Sequence, residues 1–81
     1  MKKILVVDDD MDILNVVKFV LAHHKYKVKT TWKWQNLPQT IKDFVPDLIM
    51  IDIDLNGADG SEICKKLKRT KEARNVPVIL I

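Results

Sequence analysis

Two short acidic clusters are the residues of this chain best suited to chemistry. Asp8-Asp9-Asp10 follows the apolar run Ile4–Val7, and Asp52-Ile53-Asp54 follows the apolar run Leu48–Ile51. Carboxylate oxygens are the ligands that Mg²⁺ prefers in proteins. A carboxylate beside such a cation can attack a phosphoryl group and form an acyl phosphate. The residue types therefore indicate cation binding and phosphoryl transfer to an aspartate.

The elements that must position these acids are predicted by hydrophobic periodicity. Continuous apolar runs indicate strands buried on both faces of a parallel sheet, and alternation with lysine indicates an edge strand. Four strands are predicted, at residues 3–7, 26–31, 48–52 and 76–81. Helices are predicted at residues 10–24, from Pro38 to Pro46 and at 61–70, with a loop at 56–60. The order β-α-β-α-β-α-β predicts an α/β fold with a parallel sheet and crossover helices.

The same topology predicts where the acids meet. In doubly wound sheets, ligands bind beyond the carboxyl ends of the strands, where the winding direction reverses. If the first and third predicted strands are neighbours, Asp8, Asp9 and Asp52 converge there. Close carboxylates repel one another unless a cation is present, and ligation by oxygen alone suits Mg²⁺. For Asp10, Asp12 and Asp59, a role as helix cap or loop residue is favoured instead.

Composition limits the classes of protein to which the chain can belong. Its 81 residues, 47% hydrophobic and 31% charged, predict one soluble globular domain rather than a disordered chain. The net charge of +3 comes from lysines and arginines spread over several segments, so nucleic-acid binding is not predicted. Cys64 is the single cysteine, which excludes an internal disulfide and fits a cytoplasmic location. No apolar run is long enough for a membrane span.

Four segments together resemble the response-regulator receiver domain of two-component signalling. They are residues 4–10, residues 46–55, Asp59-Gly60 and residues 76–79. The resemblance implies a flavodoxin-like, doubly wound parallel sheet, with the strand order 2-1-3-4 for the strands present here. It also implies a phosphoprotein that accepts phosphate from a sensor histidine kinase or phosphotransfer protein and is not itself an enzyme.

The resemblance also implies the roles of the site residues. Asp52 corresponds to the aspartate that accepts the phosphoryl group. Asp8 and Asp9 correspond to the acid pair that binds Mg²⁺ together with Asp52. The backbone carbonyl of Asp54 would complete the metal shell.

Three departures from the family pattern lie near this site. Asn56 replaces a usual proline, so the loop is expected to be more mobile. The side chain of Asp54 adds a negative charge, which we hypothesise alters the lifetime of the phosphoryl group. Trp32-Lys33-Trp34 replaces small residues, and the two tryptophans are interpreted as a local core, with an exposed partner patch as the alternative.

The largest departure is at the end of the chain. Receiver domains carry a Ser or Thr after strand four and a Lys after strand five, and both positions would fall beyond Ile81. Residues 1–81 are therefore expected to be an incomplete receiver domain that lacks the last strand and the last two helices. Such a chain lacks half of the switching pocket. It is expected to self-associate through the edge of its fourth strand and its first helix.

Two alternative functions remain open. The run from Asp52 to Gly57 also resembles the first motif of haloacid-dehalogenase-type phosphatases, with Asp52 as nucleophile and Asp54 as general acid/base. That motif normally follows the first strand, only 27 residues follow Asp54, and Asp8-Asp9 would have no role. The second alternative is a receiver-like interaction module that does not switch.

Overall fold

A parallel sheet of four strands forms the centre of the computed structural model, which describes residues 1–81. Its strands are β1 (Lys3–Val7), β2 (Lys27–Thr31), β3 (Leu48–Ile51) and β6 (Val78–Leu80). The spatial order is β2-β1-β3-β6, with all neighbours parallel. β6 is the fourth predicted strand, so the predicted order 2-1-3-4 is confirmed.

The three helices begin and end close to the predicted residues. They are α1 (Met11–His23), α2 (Leu37–Phe44) and α3 (Gly60–Lys68), and a 3₁₀ turn (Trp34–Asn36) precedes α2. The side chain of Asp10 caps α1 by accepting hydrogen bonds from the backbone N–H groups of Asp12 and Ile13. α2 ends where Val45 takes a left-handed conformation with φ of 54°. None of these helices is both long and apolar enough to cross a membrane.

The register of the sheet brings the acidic clusters to one edge. Val7, the last residue of β1, pairs with Thr31 of β2 and with Ile51 of β3. The backbone pairing continues one residue further: the N–H of Asp8 donates to the carbonyl of Thr31 at 3.1 Å. The N–H of Asp52 donates to the carbonyl of Val7 at 2.9 Å. The backbones of Asp8 and Asp52 are therefore fixed side by side at the carboxyl edge of the sheet.

The two faces of the sheet carry cores of different size. Side chains alternate along β1, so Leu5 and Val7 face α2 and α3, while Ile4 and Val6 face α1. The core on the α2–α3 side has ten buried residues, whereas the core on the α1 side has three. The sheet is thus covered on both faces, but the α1 side is thin, and Phe19 of α1 is 75% exposed.

The segment after β3 differs in part from the loop predicted at residues 56–60. It forms a two-stranded hairpin, β4 (Asp54–Leu55) and β5 (Ala58–Asp59), which pair antiparallel. Asn56 and Gly57 connect them with φ values of 50° and 88°. A type I′ turn requires positive φ at both central residues, and Asn-Gly is its preferred sequence. The loop predicted at residues 56–60 is therefore confirmed at Asn56-Gly57, and it is wrong at Ala58–Asp59, which form a strand, and at Gly60, which begins α3. The expected mobility of Asn56-Gly57 stays a prediction.

The two tryptophans have different surroundings. Trp34 is half-buried and packs against the larger core, which confirms the local-core interpretation for this residue. Trp32 is 54% exposed, and the Nζ atom of Lys33 lies 5.0 Å from the centroid of its ring. The interpretation is wrong for Trp32 because its side chain follows an edge strand, where no neighbouring element covers it.

Candidate functional site

Three carboxylates converge at the carboxyl edge of the sheet. Asp8 and Asp9 follow β1, Asp52 follows β3, and one carboxylate oxygen from each lies within 4.8 Å of the others. The predicted convergence of these residues is therefore observed. The cause is the pairing of β1 with β3 in register, which places the ends of both strands at the same level.

Asp8 is the inner member of this cluster. Its side chain is only 3% exposed, and its Oδ1 atom accepts a hydrogen bond from the backbone N–H of Asp10 at 2.9 Å. Burial is the main cause that raises the pKa of Asp8, and the charges of Asp52 and Asp9 act in the same direction. The hydrogen bond from Asp10 opposes them. A cation among these carboxylates would stabilise the ionised form that the fold alone disfavours.

Asp52 is intermediate in exposure between Asp8 and Asp9. It is half-buried, and its Oδ1 atom accepts a hydrogen bond from the backbone N–H of Asp54 at 3.2 Å. One carboxylate oxygen of Asp52 is thereby oriented by the hairpin that begins at Asp54. Asp9 is exposed. Exposure of the three carboxylates therefore increases from Asp8 through Asp52 to Asp9. Asp9 is therefore the member most accessible to solvent, and Asp8 is the least accessible.

Asp54 lies beside this cluster rather than within it. Its side chain is exposed on β4, and the set of three converging carboxylates does not include it. The structure brings its backbone next to Asp52 through the hydrogen bond just described. The role of its carbonyl as a metal ligand stays a prediction.

Gly60 is a residue of the site whose role was missed in the sequence. A Cβ atom on Gly60 would collide with the carbonyl oxygen of Asp52 and lie 2.9 Å from the Cα atom of Ile53. The N–H of Gly60 also donates to the carbonyl of Ile53 at 2.6 Å. A glycine at the first residue of α3 therefore lets this helix approach the backbone that carries Asp52. The signal available in the sequence was the Asp59-Gly60 pair of the receiver resemblance, although Gly60 was predicted to end a loop rather than to begin a helix.

The remaining aspartates near the site act as the predicted caps. Asp10 caps α1, and Asp12 lies in its first turn. Asp59 caps α3, and hydrogen bonds from the hydroxyl and backbone N–H of Ser61 lower the pKa of Asp59. None of these three residues belongs to the converging set.

Comparison with known proteins shows the family to which this sequence is similar. The family described as "Response regulator receiver domain" matches residues 4–81. The nisin biosynthesis regulatory protein NisR of Lactococcus lactis is 46% identical over 70 residues, which are 83% of this chain and 29% of NisR. This chain therefore spans less than a third of that relative.

Solved structures share the fold over nearly the whole chain. The N-terminal domain of a response regulator receiver protein from Methanoculleus marisnigri superimposes with a TM-score of 0.91 at 29% identity, covering 99% of this chain and 65% of that one. TrrA from Thermotoga maritima, solved in complex with Mg(2+)-BeF, gives a TM-score of 0.85 at 29% identity, covering 99% of this chain and 68% of that one.

The family match, the strand order and the acids at the carboxyl edge of the sheet agree with one another. The similarity to solved receiver domains extends along the sheet and all three helices, because it covers 99% of this chain. The chain has the α/β flavodoxin-like fold of that group. We conclude that it belongs to the response regulator receiver domain family of two-component signalling.

Proposed function

We propose that Asp52 accepts a phosphoryl group in a reaction that depends on Mg²⁺. The observation that carries this proposal is the convergence of Asp8, Asp9 and Asp52 within 4.8 Å, with Asp8 buried. Similarity to TrrA, which was solved in complex with Mg(2+)-BeF, supports the proposal. An oxygen of Asp52 attacks phosphorus, the bond from phosphorus to the donor breaks, and an acyl phosphate forms on Asp52.

The donor set of the cluster fits Mg²⁺. All its side-chain ligands are carboxylate oxygens, and the only salt bridge of the structure, Lys65–Glu62, lies elsewhere on α3. The cluster thus has no protein cation to neutralise it. Asp8, Asp9, Asp52 and the backbone carbonyl of Asp54 would hold the ion, which would offset the negative charge of the phosphoryl oxygens. Asp8 supplies a buried anion, and the N–H of Asp54 orients Asp52.

The proposed donor is a sensor histidine kinase or a phosphotransfer protein, since those are the donors of the receiver family. In this role the chain is a stoichiometric acceptor and not an enzyme. A phosphatase of the haloacid-dehalogenase type is the competing function, and it would turn over a phosphate ester without accumulating a modified chain. An interaction module that does not switch would do neither.

Labelling with acetyl phosphate tests the proposal. Wild-type chain incubated with acetyl phosphate and Mg²⁺ is expected to gain the mass of one phosphoryl group, and chelation with EDTA is expected to abolish the gain. Asp52→Asn is expected to remain unlabelled. Asp54→Asn is the matched control, because it removes a neighbouring carboxylate yet leaves Asp52 in place.

Two results would contradict this proposal. Labelling of Asp52→Asn at the wild-type level would place the acceptor elsewhere. Turnover of a generic phosphate ester by the wild type, with no labelled chain, would favour the phosphatase.

We also propose that the 81-residue chain self-associates through β6 and α1. β6 is an edge strand of the sheet, and Ile79 on it and Ile81 directly after it are 46% and 43% exposed. Val16 and Phe19 of α1 are 62% and 75% exposed. Pairing of β6 strands across a two-fold axis would satisfy the free backbone groups of that edge.

A further inference from the structure

We propose that a cleft across Trp34 binds a short segment of a partner protein that has a basic residue at one end, apolar residues in the middle and an acidic residue at the other end. Two cavities, of about 350 and 190 Å³, share Trp34 and Gln35 as lining residues. The two cavities meet at these residues and are here together called the tryptophan cleft. It runs from Asp9 at one end to Lys66 and Thr70 at the other.

The Asp9 end of the tryptophan cleft is suited to a cationic side chain. Its lining includes the exposed carboxylate of Asp9 and the indole of Trp32, and it includes no Lys or Arg. The turn at Asn56-Gly57 forms the opposite wall. An arginine guanidinium can stack on an indole face while it pairs with a carboxylate. The Nζ atom of Lys33 lies 5.0 Å from the centroid of the Trp32 ring, which is within the range of cation–π contacts.

The middle of the cleft is apolar. Ile63 and Leu67 of α3 are buried beneath it, and Trp34 and Pro38 line the side formed by the start of α2. Trp34 is half-buried, so one part of its indole packs on the core while another part faces the cleft. Apolar side chains of a bound segment would remove this surface from water.

The far end of the cleft has the opposite charge to the Asp9 end. Lys66 lines it, is exposed, and takes part in no salt bridge, whereas the neighbouring Lys65 is paired with Glu62. Charge along the cleft thus runs from negative through apolar to positive. A peptide segment with arginine at one end and glutamate at the other can pair with both Asp9 and Lys66. A small molecule with one charge can pair with only one of them.

The site is distinct from the proposed phosphoacceptor. The cleft shares Asp9 with the acidic cluster but is not lined by Asp8 or Asp52, and its smaller cavity lies between the start of α2 and α3. It can therefore be tested without phosphoryl donor, and in EDTA, so that the result is independent of the function proposed for Asp52.

Nuclear magnetic resonance of the two indole N–H groups tests the proposal directly. The chain has two tryptophans, so Trp32→Phe and Trp34→Phe assign both signals. The probe is the blocked peptide acetyl-Arg-Leu-Leu-Glu-amide, and its controls carry arginine at both ends or glutamate at both ends. The mixed-charge peptide is expected to shift both signals saturably. It is expected to bind about three- to fivefold more tightly than either control, as suits one exposed ion pair.

A charge reversal at the far end makes the test specific. In Lys66→Glu, the peptide with two arginines is expected to become the tightest ligand. Lys65→Glu is the matched control, since it makes the same charge change on the same helix outside the cleft and should keep the wild-type order. Both positions are exposed, so both variants should fold.

Three results would overturn the proposal. The first is the absence of a saturable shift at either indole up to the solubility limit of the peptides. The second is equal binding of all three peptides to the wild type. The third is an unchanged order of preference in Lys66→Glu.

Discussion

Asp8 combines two features that normally exclude each other in a folded protein, a carboxylate and near-complete burial. It is 3% exposed and lies with Asp9 and Asp52 rather than with a basic side chain. Removal of its charge should therefore relieve repulsion. Asparagine at this position keeps an oxygen that can accept the hydrogen bond from the N–H of Asp10.

We expect Asp8→Asn to stabilise the chain in metal-free buffer at neutral pH by about 1 kcal/mol, the usual scale of a single substitution. Urea unfolding followed by circular dichroism measures the change. Asp12→Asn serves as the control, because it removes an exposed charge from the first turn of α1 and should be neutral or slightly destabilising. Stabilisation by added Mg²⁺ should be smaller in Asp8→Asn than in the wild type. A loss of stability in Asp8→Asn would contradict the repulsion argument.

The pKa shifts give two opposite signs of pH dependence. The unfolded chain ionises Asp8 near the ordinary value of 3.8, but burial raises its pKa in the folded chain. Between these values the folded chain binds the extra proton, so the contribution of Asp8 to the free energy of unfolding falls as pH rises and then levels off. The pKa of Asp59 is lowered, so its contribution is present above 3.8 and is lost as pH falls.

We therefore expect the stability difference between Asp8→Asn and the wild type to grow with rising pH. For Asp59→Asn, the loss of stability should instead shrink as pH falls. Metal-free urea titrations at several values between about pH 3 and 7 measure both. Parallel curves for the two variants would contradict the assigned directions.

Asp54 is the residue through which the site is expected to set the lifetime of its phosphoryl group. Its exposed carboxylate lies two residues after Asp52 and is absent from the converging set, so its side chain is free to act on water. If Asp52 is labelled as proposed, the dephosphorylation rate of Asp54→Asn should differ from the wild-type rate by about twofold or more, the scale of one surface charge. Asp12→Asn is the control, and identical rates for wild type and Asp54→Asn would refute the hypothesis.

At the scale of elements, the contact of α3 with the backbone after β3 is the tightest constraint on the site. Gly60→Ala should destabilise the chain by about 2–3 kcal/mol, because its Cβ atom would press on backbone atoms of Asp52 and Ile53 that cannot move aside cheaply. It should also weaken Mg²⁺ binding by displacing Asp52. Thermal unfolding and metal titration measure the two effects.

Gly57→Ala is the matched control for this prediction. The Cβ atom at Gly57 would meet nothing within 4 Å, and only its φ of 88° resists substitution. The expected cost is about 1 kcal/mol, which comes from backbone strain alone. An equal cost at both glycines would contradict the steric role of Gly60.

The elements that could be predicted from the sequence are those with a clear hydrophobic periodicity or a continuous apolar run. The apolar runs of β1 and β3 predicted buried neighbouring strands, and the acids after them predicted the cluster of Asp8, Asp9 and Asp52. The hairpin at residues 54–59 escaped prediction because its strands have two residues each, too few to show alternation. Gly60 escaped because its role depends on a tertiary contact 8 residues away in sequence, with Asp52.

At the scale of the whole molecule, the thin core on the α1 side of the sheet and the free edge of β6 should determine the oligomeric state in solution. Light scattering over a range of concentrations is expected to show a dimer that dissociates on dilution. Ile79→Lys should shift the equilibrium to monomer, because it places a charge on the free edge of β6. Lys71→Glu, a change at an exposed residue outside β6 and α1, is the control. A monomer at all concentrations would contradict the proposed self-association.

The position of β1 at the centre of the sheet has a consequence for the order of events in folding. β1 is the first strand in the chain, yet its partners arrive later: Ile4 pairs with Val28 and with Leu48. During synthesis, one edge of β1 must stay unpaired until β3 has left the ribosome. The first half of the chain alone can form at most a two-stranded edge. We infer that the acidic cluster is assembled late, in the same step that closes the centre of the sheet, because pairings distant in sequence form slowly.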